Sequence, residues 1–308
     1  MSWQSALINL LSRRLIRPKL GRFRAGPDGV AMIRRAFGQP RWARNLRAAA
    51  ARVTKVSDAP ILGEWVLPKD GVVENGRTIL YLHGGGYVFC TEETHRPITT
   101  SLANRARARV FAPAYRLAPE HRFPAAIDDC LLAAEWLFAT QGVDPARTIV
   151  AGDSAGGGLA AALGVARRDR GLPAMAGTLL FSPWTDLAAT GESIRSNEGA
   201  DVMFVGRGIA PFAKVYLGES PATHPLASPY YADWTGLPPL SIQVSTHEVL
   251  LDDSRRLAAK ARAAGVDVTI REWDNLIHAW QLWTPFMPEA REALAAAAEW
   301  VRARTPAH

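Results

Sequence analysis

The chain predicts an α/β fold in which a mostly parallel, eight-stranded sheet is flanked by helices. Three observations carry that expectation. From residue 77 onward, short apolar runs alternate with helical runs, as strands and crossover helices do in a parallel sheet. Two glycine-rich segments directly follow strand-like runs, where functional loops of open parallel sheets gather. An apolar fraction of 48% in 308 residues supplies one large core and a small cap.

In chain order, strands are expected near 53–58, 61–67, 77–82, 109–113, 147–152, 176–182, 240–245 and 267–273. Helices are expected near 94–107, 124–140, 155–169, 253–264 and 288–303. The first two strands are free to form an antiparallel edge. Arg116 to Asp129 reads as a brace, because its prolines bound a loop and open a helix.

The run Arg77 to Leu82 leads straight into His83-Gly84-Gly85-Gly86-Tyr87. Each of those glycines carries a backbone entropy cost of roughly 0.5–1 kcal/mol relative to alanine, so bare backbone must serve a purpose there. The amides of Gly84 and Gly85, joined by that of Ala155, are expected to converge on an oxygen that gains negative charge. A phosphate cradle fits less well, since no Lys-Ser or Lys-Thr follows.

Gly152-Asp153-Ser154-Ala155-Gly156 lies between the apolar run Thr148 to Ala151 and an alanine-rich helical run. A strand-to-helix turn of this kind exposes its serine in a strained conformation, and the flanking glycines relieve the crowding. The helix that follows aims unpaired N–H groups and its positive end at the same place. Ser154 is therefore the expected nucleophile and needs a base. Seven histidines are present, and His278 follows the last strand in the loop where the base of such a site belongs. His83 is read as orienting the glycine loop, while His95, His121, His224 and His308 lie in polar or terminal contexts. His247 competes only if its loop is rearranged.

With these motifs the chain resembles the hormone-sensitive-lipase family of α/β-hydrolases, also called bacterial family IV esterases. The resemblance rests on His83 to Gly86, the stretch Tyr115 to Asp129, Gly152 to Gly156 and the late His278 loop. Family members carry an aspartate about thirty residues before the histidine; here that position holds Glu248, with Asp252 as the alternative acid. The resemblance implies serine-ester chemistry on short- or medium-chain carboxylic esters, lactones included, without metal or cofactor. A peptidase or amidase on the same triad, or a non-catalytic ligand receptor of the same fold, are the rival readings.

The resemblance also implies a cap made of residues 1–50 and an insertion at 187–234, over a catalytic domain of 51–186 and 235–308. Tyr87, Trp184, Phe204, Phe212 and Ile277 are the expected pocket residues. Dimers through the last strand are a further family expectation. Cys90 and Cys130 read as free thiols suited to a reducing cytoplasm. The net charge of +7 and pI near 9.8 read as arginines scattered through helices, so no nucleic-acid partner is expected. Trp3, Leu7, Leu10, Leu11 and Leu15 fall at helical spacing near Arg13, Arg14 and Arg17. A cap helix is the expected reading, with a membrane-surface anchor as the less favoured one.

Overall fold

Eight strands form one sheet in the spatial order β1-β2-β4-β3-β5-β6-β7-β8. They are β1 (Arg52–Val56), β2 (Gly63–Leu67), β3 (Thr78–Leu82), β4 (Arg109–Pro113), β5 (Thr148–Asp153), β6 (Gly177–Phe181), β7 (Leu240–Ser245) and β8 (Val268–Trp273). The structure is a computed structural model and describes residues 1–38, 49–57 and 59–306. Strand β2 runs antiparallel to both β1 and β4, and every other pairing is parallel. The first expected strand stops at Val56; Asp58 lies outside the described residues.

Alternation along the central strands divides the core in two. Leu80, Leu82, Val150 and Leu180 pack on one face with helices Ala125–Glu135 and Ala155–Asp169. Ile79, Tyr81, Ile149, Ala151 and Leu179 pack on the other with helices Arg96–Ala106 and Pro288–Arg304. Both faces are covered, so β3 and β5 are buried along their whole length, and their sequences read as continuous apolar runs. The expected helix at 94–107 starts instead as a 3-10 turn, Glu92–His95, before Arg96–Ala106. Arg96 there makes a two-pronged pair with the buried Glu64 of β2, at 2.6 and 3.0 Å.

Parallel strands put their carboxyl ends on one edge. Leaving that edge are His83 after β3, Ser154 after β5, Glu248 shortly after β7 and His278 after β8. Above it lie helices Trp3–Leu11, Arg17–Gly21 and Pro27–Phe37, together with Ile209–Leu217 of the insertion. These two cap pieces are joined to each other. Arg13 donates to the Gly199 carbonyl at 3.1 Å, Arg17 to that of Glu198 at 2.6 Å, and Phe23 stacks on Phe212 at 3.8 Å. Residues 39–48 of the expected cap lie outside the described residues.

Candidate active site

Ser154 occupies the turn between β5 and the Ala155–Asp169 helix with φ 53° and ψ −122°, a conformation that a non-glycine residue adopts only under constraint. The constraint is visible on both sides. Its amide donates to the Phe181 carbonyl, and its own carbonyl accepts from Gly158 and Trp184, all within 2.9–3.0 Å. A Cβ on Gly156 would collide with the carbonyl oxygens of Leu82 and His83, which explains why the turn needs glycine there.

His278 and Glu248 are brought together at 2.5 Å between Nδ1 and Oε2. Both are buried, and the second oxygen of Glu248 accepts from the Ser182 hydroxyl at 2.6 Å and the Ser245 amide at 2.9 Å. Asp252 points elsewhere: its Oδ2 accepts from the Ser193 amide at 2.9 Å. Burial alone would lower the imidazole pKa of His278, but the charge and hydrogen bond of Glu248 outweigh it and leave it raised. Its Nε2 is buried without a hydrogen-bond partner among the described residues. His247 sits at the surface near Asp274, 3.6 Å away, and takes no part in this cluster.

The glycine loop corrects one expectation. The Gly84 amide donates to Asp153 Oδ1 at 3.0 Å, so it is spent on structure and is not available to an oxyanion. A side chain there would also run into that carboxylate. Gly85 and Gly86 line the cavity instead, and no hydrogen bond among the described residues occupies either amide. Ala155 opens its helix, so its amide has no intrahelical acceptor.

Asp153 is the piece that sequence reading left without a role. Besides Gly84 it accepts from the Tyr81 hydroxyl at 2.7 Å and faces His95 Nε2 at 3.2 Å. Burial would push its carboxyl up, yet His95 and the Tyr81 hydrogen bond hold it below the usual range. One buried carboxylate thus ties the glycine loop to the serine turn. Its place immediately before Ser154 was the available signal. His83 supports the same loop from behind: Nδ1 meets the Gly84 carbonyl at 2.7 Å, and the ring stacks on Tyr115 at 4.3 Å. Burial and the neighbouring His95 push its pKa down to about 3, so it stays neutral.

Ser154 and His278 open into a cavity of about 360 Å³. Trp184, Phe204, Phe212 and Ile277 line it as expected from the sequence, and Phe204 sets its ring edge-on to His278 at 4.9 Å. Tyr87 does not line it. With φ 63° its side chain turns into the core and stacks on Tyr216 at 3.8 Å. The cavity also takes in Ile16, Lys19 and Phe37 from the N-terminal helices and Phe286 from beyond His278, none of which the sequence singled out. Cys90 and Cys130 are free thiols. Cys90 lines the cavity, and burial pushes its thiol up to about 12, which favours the neutral thiol over the thiolate.

Comparison with known proteins agrees with this architecture. A family model described as an alpha/beta hydrolase fold matches residues 79–282. An acetyl-hydrolase of Streptomyces hygroscopicus is 43% identical over 79% of this chain and 80% of its own. An esterase of Acinetobacter venetianus is 36% identical over 72% of this chain and 73% of its own. The solved structure of EstE5 soaked with p-nitrophenyl butyrate superposes with a TM-score of 0.90 at 37% identity, over 100% of both chains. That of an esterase from the bacterial hormone-sensitive lipase family gives 0.87 at 36% identity, over 99% of both. This chain belongs to the hormone-sensitive-lipase family of α/β-hydrolases, a family of carboxylic ester hydrolases.

Proposed function

We propose that this protein hydrolyses carboxylic esters through an acyl-enzyme formed on Ser154. The observation that carries the reading is the buried His278–Glu248 pair, whose unpartnered Nε2 shares a cavity with a serine held in the strained turn. A carboxylate on Nδ1–H fixes the tautomer that leaves Nε2 with a lone pair. Nε2 takes the Ser154 proton as Oγ bonds to the ester carbon. The amides of Gly85, Gly86 and Ala155 receive the oxyanion, and Glu248 stabilises the imidazolium. Nε2 then protonates the departing alkoxy oxygen as the carbon–oxygen bond breaks. Water, deprotonated by the same nitrogen, releases the acid in the reverse sequence.

The apolar cavity and the cap helices that line it support short or medium acyl chains, with lactones included. A fluorophosphonate probe tests the reading directly. It should attach to Ser154 in the folded protein and fail to attach to Ser154→Ala; modification at another residue, or none, would sink the acyl-enzyme.

A further inference from the structure

The Trp3–Leu11 helix is inverted: its polar side is buried and its apolar side faces solvent. Ser5 and Asn9 point inward with Ile8. The Ser2 and Ser5 hydroxyls donate to Glu289 at 2.9 and 2.7 Å, and Asn9 Nδ2 donates to the Asn275 carbonyl at 2.8 Å. These bonds fix the rotation of the helix. Outward face Trp3, Leu7, Leu10 and Leu11, with Leu15 one turn on, exposed by 71, 46, 45, 46 and 58%. At helical spacing they share one side with Arg14. An uncovered stripe of large apolar side chains on a folded protein marks an interaction surface.

Charge identifies the occupant. Residues 1–27 hold six basic side chains (Arg13, Arg14, Arg17, Lys19, Arg22, Arg24) and no acidic one, so they account for six of the chain's seven excess positive charges. The excess is therefore concentrated here, not scattered as the composition suggested. Two copies meeting through this face about a two-fold axis would set like charges against each other. A nucleic acid would meet the cations but gives the leucines no role. No helix among the described residues is long and apolar enough to cross a membrane, so attachment would lie in the plane of a surface.

We propose that this face docks the protein on an anionic lipid surface. Trp3 and the leucines enter the boundary of the acyl layer, and Arg14, on the same side, meets headgroup phosphates, while Arg13 and Arg17, held by carbonyls of the insertion, add to the local positive field. The segment that carries this face also reaches the cavity. Lys19 belongs to the basic segment and lines the cavity, and Phe286, 62% exposed, lines it three residues before the Glu289 that anchors the helix. Docking through this segment would bring the cavity beside the lipid layer. Resting on the esterase reading, this makes esters held in that layer the favoured substrate class, in place of freely dissolved ones.

Sedimentation with phosphatidylcholine vesicles, with and without phosphatidylglycerol, tests docking without any turnover, so its outcome is separable from that of the esterase reading. The full chain should bind the phosphatidylglycerol vesicles, more weakly at high salt. Leu7→Ser/Leu11→Ser should bind about tenfold more weakly, and Arg14→Glu should lose affinity as well. Both variants should keep the parent melting temperature and hydrolysis of p-nitrophenyl butyrate. Absence of vesicle binding, equal binding by the leucine variant, or a dimer that this variant splits into monomers would each overturn the proposal. Tight binding to a duplex DNA fragment in place of vesicles would overturn it too.

Discussion

At the floor of the cavity the charged groups are held by directed hydrogen bonds, whereas the roof turns apolar and aromatic side chains to the cavity and keeps its hydrogen bonds behind them. Glu248 accepts from Ser182, Ser245 and His278, and Asp153 meets Tyr81, Gly84 and His95. The roof is also tied down by hydrogen bonds, from Arg13, Arg17 and Arg34 to backbone carbonyls, but over the cavity it packs rings, Phe23 against Phe212 and Phe37 against Phe89, with centroids 3.8 and 5.0 Å apart. Hydrogen bonds fix direction as well as distance, so the floor sets where a proton and an oxyanion go. Ring packing fixes little beyond volume, so the roof sets which acyl groups fit. Changes in the floor should alter rate for all substrates alike, and changes in the roof should alter preference among them.

The sharpest break of that contrast is Ser154→Ala, which should lower kcat by on the order of 10⁴–10⁶ with the fold intact by circular dichroism. Hydrolysis within tenfold of the parent would remove the floor's claim to the chemistry. Next in size is the acid. Glu248→Gln should cost on the order of 10³–10⁴ in kcat/KM, because the imidazole keeps a hydrogen-bond partner but loses its orienting charge. Asp252→Asn should stay within about threefold, as among the described residues that side chain accepts from the Ser193 amide and makes no bond to His278. The reverse ranking would hand the role to Asp252.

The same division explains what could be read from the chain. The serine turn and the strand-to-glycine junction are local, so spacing and residue type were enough to find Ser154 and the loop. Glu248 was legible only by its offset from His278, since nothing local distinguishes it from Asp252 or Asp253. Three adjacent bare amides do not reveal which one a buried Asp153 claims, and so the sequence pairs Gly84 with Gly85 where the structure leaves the amide of Gly86 open beside that of Gly85. Tyr87 read as a wall because it follows the glycines; its positive φ, invisible in sequence, sends it into the core. Ile16, Lys19 and Phe37 reach the cavity only once the N-terminal helices fold back over the sheet edge, a contact between residues more than a hundred positions from Ser154.

A pH profile sharpens the floor further. His278 must be neutral to act as a base, so activity falls as pH drops through its folded pKa. That pKa is raised, and the acidic limb of kcat/KM should lie above the ordinary imidazole value of ~6.5. For stability the sign is opposite: the pair's contribution is full below the unfolded pKa and is lost as pH rises through the folded one. Glu248→Gln should shift the limb toward lower pH, since burial is then opposed only by the charges of Asp201 and Asp153. A limb that does not move in this variant would mean that Glu248 is not what raises His278.

The smallest expected effect belongs to the roof. Phe37 lines the cavity, is only partly buried, and belongs to a cap helix that carries none of the reacting groups. Phe37→Ala should lengthen the space for an acyl chain without touching Ser154, His278 or Glu248. Each methylene that gains burial is worth up to ~0.8 kcal/mol, about fourfold in kcat/KM, until the next wall is met. Across p-nitrophenyl esters from acetate to decanoate, the parent should peak at short or medium length, and the variant's peak should move to longer chains. Glu248→Gln, measured on the same series, should depress every ester by a similar factor and leave the peak where it was. An unmoved peak in Phe37→Ala would show that the N-terminal helices do not limit chain length. A moved peak in Glu248→Gln would show that floor and roof do not act separately.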